Sequence, residues 1–206
     1  MIGVNGLPKI TFYNLPDEKR QLLIESAKRE FSRVPLFEAS ISNIVKSAGI
    51  PRGSFYQYFE DKEDIFFFLL NDSTKQMKDH FVLTLENCDG DIFEAMIEIF
   101  QIIVKEEENI HFLKNAFLNM TYKVEKSFGK IIGDSDRSES YREIGHLVNK
   151  KYMNVSDDHE FFHAMEIIMS LTIRNIVKKF ALEIPFSQAL ETYKMEINLI
   201  KNGLYR

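Results

Sequence analysis

Arg52, Ser54, Tyr56, Gln57 and Tyr58 fall within seven residues of this 206-residue chain, and Lys62 follows closely. Arg and Gln pair bidentately with guanine and adenine edges in a DNA major groove. Ser, Tyr and Lys supply hydroxyls and an ammonium that hold phosphate oxygens and fix register. Their setting, between Ser40 and Glu63, gives the cluster meaning. Ser40 is a type of residue that caps a helix by accepting a backbone N–H. Ile41, Ile44, Val45 and Ala48 then recur at helical spacing, so that helix buries one stripe. Gly49 stands where a helix ends in a left-handed residue, and Pro51 suits the first turn of the next helix. Phe55 and Phe59, four apart, turn inward together and leave Arg52, Gly53, Ser54, Tyr56, Gln57 and Tyr58 for other faces. A short second helix so equipped has the chemistry to enter a major groove.

Other reactive constellations are weaker. His159, His163 and Glu166 lie at i, i+4 and i+7 on one face near a helix start, a spacing that can hold a transition metal. No CxxC accompanies them, and Asp157 and Asp158 suit a helix N-terminus without any metal. The expectation is no metal and no cofactor, with metal sensing as the alternative. The chain has no nucleophile elbow, phosphate loop or HExxH. Cys88, between Asn87 and Asp89, has no neighbouring cation to activate it. Catalysis is therefore not expected, and an enzyme with an apolar helical pocket is the remaining minor reading.

Ser40, Ile44, Ala48-Gly49-Ile50, Gly53-Ser54-Phe55-Tyr56, Tyr58-Phe59 and Lys62-Glu63 resemble the helix-turn-helix signature of the TetR family of bacterial transcriptional regulators. The resemblance covers about residues 17–66. Phe55 stands where a smaller aliphatic is usual and Val45 where Ala is usual; both stay apolar. The resemblance implies that Arg52 and Gln57 approach base edges, with Gly53 permitting close backbone approach. It implies that Ser40, Ser54, Tyr56, Tyr58 and Lys62 hold phosphates of double-stranded DNA. It also implies a homodimer on a palindromic operator, and an inducer pocket in the body of the chain.

The composition allows this. Length bounds the chain to one or two domains with a substantial core. A hydrophobic fraction of 45% and a charged fraction of 28% are those of a globular protein. No apolar run is long enough to cross a bilayer, no signal peptide is evident, and one cysteine fits a reducing cytoplasm. The net charge of -5 hides an asymmetry: residues 1–62 hold nine Lys/Arg against seven Asp/Glu, the rest 17 against 24. Phosphate binding needs such a local surplus, not a basic chain.

The elements that must position these residues all read as helices. Residues 1–16 form an N-terminal arm with Gly3, Gly6, Pro8 and Pro16, partly ordered by Ile10, Phe12 and Tyr13. Asp17 to about Arg33 is amphipathic, and with the two helices after it makes a three-helix DNA-binding domain over 17–62. Residues 63–206 form a larger helical domain for ligand binding and dimerisation. Its expected helices run from Lys62 to about Leu85, Gly90–Glu107, Asn109 to about Phe128, Glu139–Tyr152, a long one capped by Ser156 to about Leu182, and a last one opened by Pro185. Gly129–Ser138 reads as a loop. The fold class is all-α, with no convincing strand.

Phe93, Met96, Phe100, Phe117, Met120, Phe161 and Met165 are the candidate lining for a lipophilic ligand, although each also suits plain core packing. The last two helices are apolar on more than one face, as the run Ile167-Ile168-Met169-Ser170-Leu171-Thr172-Ile173 shows. One face meets the protein's own core. The other, within about 157–204, is expected to meet a second copy, and a charge at Ile173 or Ile197 would test that seam.

Overall fold

A computed structural model describes residues 8–105, 111–129 and 144–203, and among these all regular structure is helical. The helices are α1 (Ile10–Tyr13), α2 (Asp17–Arg33), α3 (Ile41–Ser47), α4 (Arg52–Tyr58), α5 (Lys62–Asn87), α6 (Ile92–Val104), α7 (His111–Leu118), α8 (Tyr122–Gly129), α9 (Asp158–Ala181) and α10 (Phe186–Asn202). Residues 144–147 are also helical. The loop expected at Gly129–Ser138 lies almost wholly outside the described residues, as does the start of the helix expected at Glu139.

Packing divides the chain into two units. One contains residues up to Ser73 together with Glu108–Asn119; the other contains Thr74–Glu107 and everything from Met120. The boundary thus falls within α5, whereas sequence composition marks its start.

In the first unit, α2 presents Leu23, Ala27 and Phe31, each at most 1% exposed, to α3 and α7. The rings of Phe31, Phe66 and Phe112 meet one another at 5.2–6.3 Å between centroids. Asn115 of α7 donates from Nδ2 to the carbonyls of Phe31 and Ser32, at 2.8 and 3.0 Å. Those carbonyls sit in the last turn of α2, where no intrahelical donor remains. At the start of α5, Asp61 accepts from the N–H of Asp64, while Asp64 accepts from the N–H of Glu60. The first bond satisfies a donor the helix start leaves open, and the second ties the residue before the cap to the first turn.

The second unit is built on α6, where Asp91 caps the start by accepting from Phe93 and Glu94 N–H. Nine residues of α6 are buried, consistent with a helix apolar nearly all round. It packs against α9 and α10. Phe100 stacks on Tyr193 with centroids 4.1 Å apart, and the Tyr193 hydroxyl pairs with Thr172 Oγ1 at 2.7 Å. Burial pushes the Tyr193 phenol well above its ordinary value. Lys201 reaches back to Asp91 at 2.8 Å and links the end of α10 to the start of α6. Gly90 takes φ +77°, and a Cβ there would lie 2.6 Å from the Leu147 carbonyl, so this turn requires glycine.

Three sequence expectations change. The helix expected from Asn109 to about Phe128 is two, α7 and α8. Thr121 accepts from Val124 N–H with its hydroxyl and from Glu125 N–H with its carbonyl, which starts a new helix after Met120. The cap of α9 is Asp157, which accepts from Glu160 N–H, and not Ser156, whose own N–H donates to the Glu160 carboxylate. Ile197 is fully buried inside its own unit, so it is not available to a dimer seam.

Candidate nucleic-acid interface

The helix-turn-helix is held from inside by α2. Glu30 is 6% exposed, and its carboxylate accepts from Arg33, from the Ser40 backbone N–H at 2.9 Å and from Asn43 Nδ2 at 3.0 Å. Burial works to raise its pKa, but these hydrogen bonds outweigh it and hold the carboxyl below its ordinary value. Ser40 stands at the start of α3 but, unlike the sequence reading, makes no capping hydrogen bond with its own hydroxyl. Its backbone N–H is taken up by a side chain ten residues earlier. Glu30 sits at a buried position of α2, and only the fold reveals its partners.

The turn between α3 and α4 follows the sequence reading. Gly49 adopts φ +64°, the left-handed conformation that ends α3. Pro51 precedes α4 in extended backbone. Phe55 and Phe59 are wholly buried with their rings tilted to each other at 5.8 Å between centroids, which fixes the roll of α4 about its axis. With that roll set, Arg52, Gly53, Tyr56 and Gln57 are exposed, and Ser54, Tyr58, Lys62 and Ser40 are half-buried. Arg52 donates to the Tyr56 hydroxyl at 3.3 Å across one helical turn.

Lys62 spends two of its ammonium donors on the Phe37 and Ala39 carbonyls, at 2.7 and 3.1 Å. It ties the loop before α3 to the start of α5, and an ammonium retains a third donor beyond these two.

The N-terminal arm is part of this surface, and sequence reasoning understated it. The last carbonyls of α4 have no donors within the helix. Phe55 receives the Phe59 N–H, but the next three are served by the arm. Lys9 donates from Nζ to the Tyr56 carbonyl at 3.1 Å and from its backbone N–H to the Tyr58 carbonyl at 2.8 Å. Thr11 donates its hydroxyl to the Gln57 carbonyl. Phe12, 1% exposed, anchors α1 against Phe59 and Phe68 at 5.1 and 5.3 Å. A cation at the negative end of a helix is electrostatically favourable as well. Ile10 and Tyr13 stay exposed. The sequence signal was present only as an apolar Phe12 beside a Lys and a Thr.

Of the candidate ligand residues, Phe93, Met96, Phe100, Phe161 and Met165 are each at most 4% exposed within the second unit, and Met120 is half-buried there. Phe117 is buried in the first unit. Among the described residues no group of three His, Cys, Asp or Glu is arranged to hold a metal. Burial, then the nearby Glu98 and Glu94, push the Cys88 thiol up, away from the reactive thiolate. No described helix is long and apolar enough to cross a membrane.

The chain matches the family model described as "Bacterial regulatory proteins, tetR family" over residues 23–68, and that described as "Tetracyclin repressor-like, C-terminal domain" over 91–204. It is 46% identical over 55 residues to an uncharacterised HTH-type transcriptional regulator, YdgC, of Bacillus subtilis (strain 168), covering 27% of this chain and 28% of that one. Across the curated relatives it matches, the chain spans 23–37% of their length. The backbone superposes on a putative TetR-family transcriptional regulator from Syntrophomonas wolfei with TM-score 0.66 and 21% identity, covering 91% and 97% of the two chains. It superposes on the fatty acid degradation regulator FadR from Bacillus halodurans with TM-score 0.63 and 17% identity, covering 90% and 99%. These two likenesses concern the fold. A helix-turn-helix with an exposed Arg, Gln and Tyr face, together with a C-terminal family match over more than half of the residues, identifies the chain as a DNA-binding transcriptional regulator belonging to the tetR family.

Proposed function

We propose that the chain is a ligand-responsive repressor, acting in the cytoplasm as a homodimer on a palindromic operator and released by a lipophilic small molecule. The observation that carries the DNA-reading part is Gly53. It lies in the exposed first turn of α4 at an ordinary φ, and a Cβ built there meets nothing within 4 Å. Glycine in a helix costs about 0.5–1 kcal/mol relative to alanine. No described atom of the chain crowds the position, which leaves room for an outside surface to approach the backbone closely. Arg52 and Gln57 flank it to read bases, while Ser40, Ser54, Tyr56, Tyr58 and Lys62 hold phosphates.

A second copy would pair through α9 and α10. Ile167, Met195 and Leu199 are 58%, 56% and 48% exposed, an apolar surface a single copy leaves in water. The ligand would enter the second unit among Phe93, Met96, Phe100, Met120, Phe161 and Met165. A ligand that favours a head spacing unlike the roughly 34–36 Å between DNA half-sites lowers DNA affinity. Linkage then requires DNA to lower ligand affinity by the same factor.

Selection of bound DNA from a random pool tests the reading. Wild-type protein should enrich one palindrome, and Arg52→Ala should relax one base pair in each half-site by roughly 1–3 kcal/mol. Fatty-acid-like and cationic drug-like compounds are then titrated against the operator complex. An unchanged preference in Arg52→Ala would overturn the base-reading assignment.

A further inference from the structure

The geometry points to a two-histidine site for a divalent transition cation at the start of α9. His159 and His163 are exposed on adjacent turns, and their Nε2 atoms stand 3.3 Å apart. Two imidazole nitrogens bound tetrahedrally to zinc at 2.0–2.1 Å lie about 3.3–3.4 Å from each other. The observed spacing already matches that bite.

Orientation agrees with spacing. His163 Nδ1 lies 3.1 Å from Glu166 Oε2. An ionised carboxylate only accepts, so that Nδ1 carries the proton and the Nε2 lone pair is left for an ion. Metal-bound histidines are held in this way, the second ring nitrogen donating to a carboxylate that fixes tautomer and direction. The terminal torsion of a histidine is broad, so the exposed His159 ring can turn its own lone pair to the same point without moving the helix.

Electrostatics permit the charge. The first turn of α9 is the positive pole of the helix and opposes a cation. Asp157, Asp158 and Glu160 surround that pole, and Lys150 offsets one of them by pairing with Asp158 at 2.7 Å. Two protein ligands leave two positions to water, so the ion would be exchangeable, and would report metal availability without building the fold.

Untagged, chelator-treated full-length protein is titrated with zinc and with copper(II) by calorimetry. One ion per chain is expected, copper tighter than zinc in keeping with the general order of these ions on nitrogen ligands. His159→Ala and His163→Ala should each weaken binding at least tenfold, and Glu166→Ala about tenfold through loss of the orienting carboxylate. All three side chains are exposed, so the variants keep the fold, which their circular dichroism would confirm. Absence of saturable binding below millimolar metal overturns the site. So does binding that His159→Ala and His163→Ala leave unchanged.

Discussion

Replacing Phe12 with Ala should release the N-terminal arm and weaken DNA binding without unfolding the rest of the chain. The arm from Lys9 to Tyr13 is five residues, and ordering their backbone costs about 5–10 kcal/mol at 1–2 kcal/mol each. Its three hydrogen bonds to the end of α4 return about 1.5–4.5 kcal/mol at 0.5–1.5 each. The difference must come from burial, and in this turn Phe12 is the buried side chain, worth roughly 1.5–3 kcal/mol by its area alone and more for its ring contacts. Without the ring the hydrogen bonds cannot hold the arm. The carbonyls of Tyr56, Gln57 and Tyr58 then depend on water, and α4 has only seven residues, far below the length at which a helix persists unaided. Operator affinity, measured by fluorescence anisotropy, should fall at least tenfold, or about 1.4 kcal/mol. The Phe59 amide, bonded to the Phe55 carbonyl at 2.9 Å, should exchange faster with deuterium. Ile10→Ala is the control: that side chain is 74% exposed in the same turn and should change neither readout. If Phe12→Ala bound operator like wild type with Phe59 exchange unaltered, the arm would have no part in holding the reading helix.

Gly53→Ala separates reading from folding: thermal stability should rise slightly, since alanine is about 0.5–1 kcal/mol the better helix former, while operator affinity falls. Equal affinity for the two proteins would refute close backbone approach. Glu30→Ala should destabilise by about 2–3 kcal/mol in urea titration, since it strands the Ser40 N–H and Asn43, with Arg33 contributing less because it is largely exposed. Because the folded carboxyl lies below its ordinary value, Glu30 stabilises fully above the normal glutamate range, and that share is lost as pH falls through the lower folded-state value. The variant's stability should therefore vary less with pH below about 4.5 than the wild type's. Met195→Glu should shift a sedimenting dimer toward monomer and reduce operator binding with it, whereas a wild type that sediments as a monomer yet binds a palindrome tightly would remove the dimer from the mechanism.

The helix-turn-helix could be read from sequence because its signals are local. Ile44 and Val45, Gly49, Pro51, and Phe55 with Phe59 each act over at most four residues, through helical period, left-handed backbone or a fixed φ. Those same rules place Arg52, Gly53 and Gln57 outward without knowledge of any neighbour. The long apolar α6 and the proline-led α10 follow from the same logic. The failures were those of distance. Ser40 looked like a side-chain cap because capping is usually local, but its hydroxyl makes no capping bond, and its backbone N–H is held by Glu30 of the preceding helix. Lys62 looked wholly outward until the Phe37 and Ala39 carbonyls came within its reach. Ile197 fitted an apolar stripe, and only packing decided that this stripe faces inward while Met195 and Leu199 face out. The arm gave no period at all, because one helical turn is too short to have one. Its order comes from three carbonyls at the end of α4, some 46 residues away along the chain. Sequence determines which residues favour a helix and which face is apolar. The tertiary structure alone decides which donor meets which acceptor, because those pairs form between segments that no local rule connects.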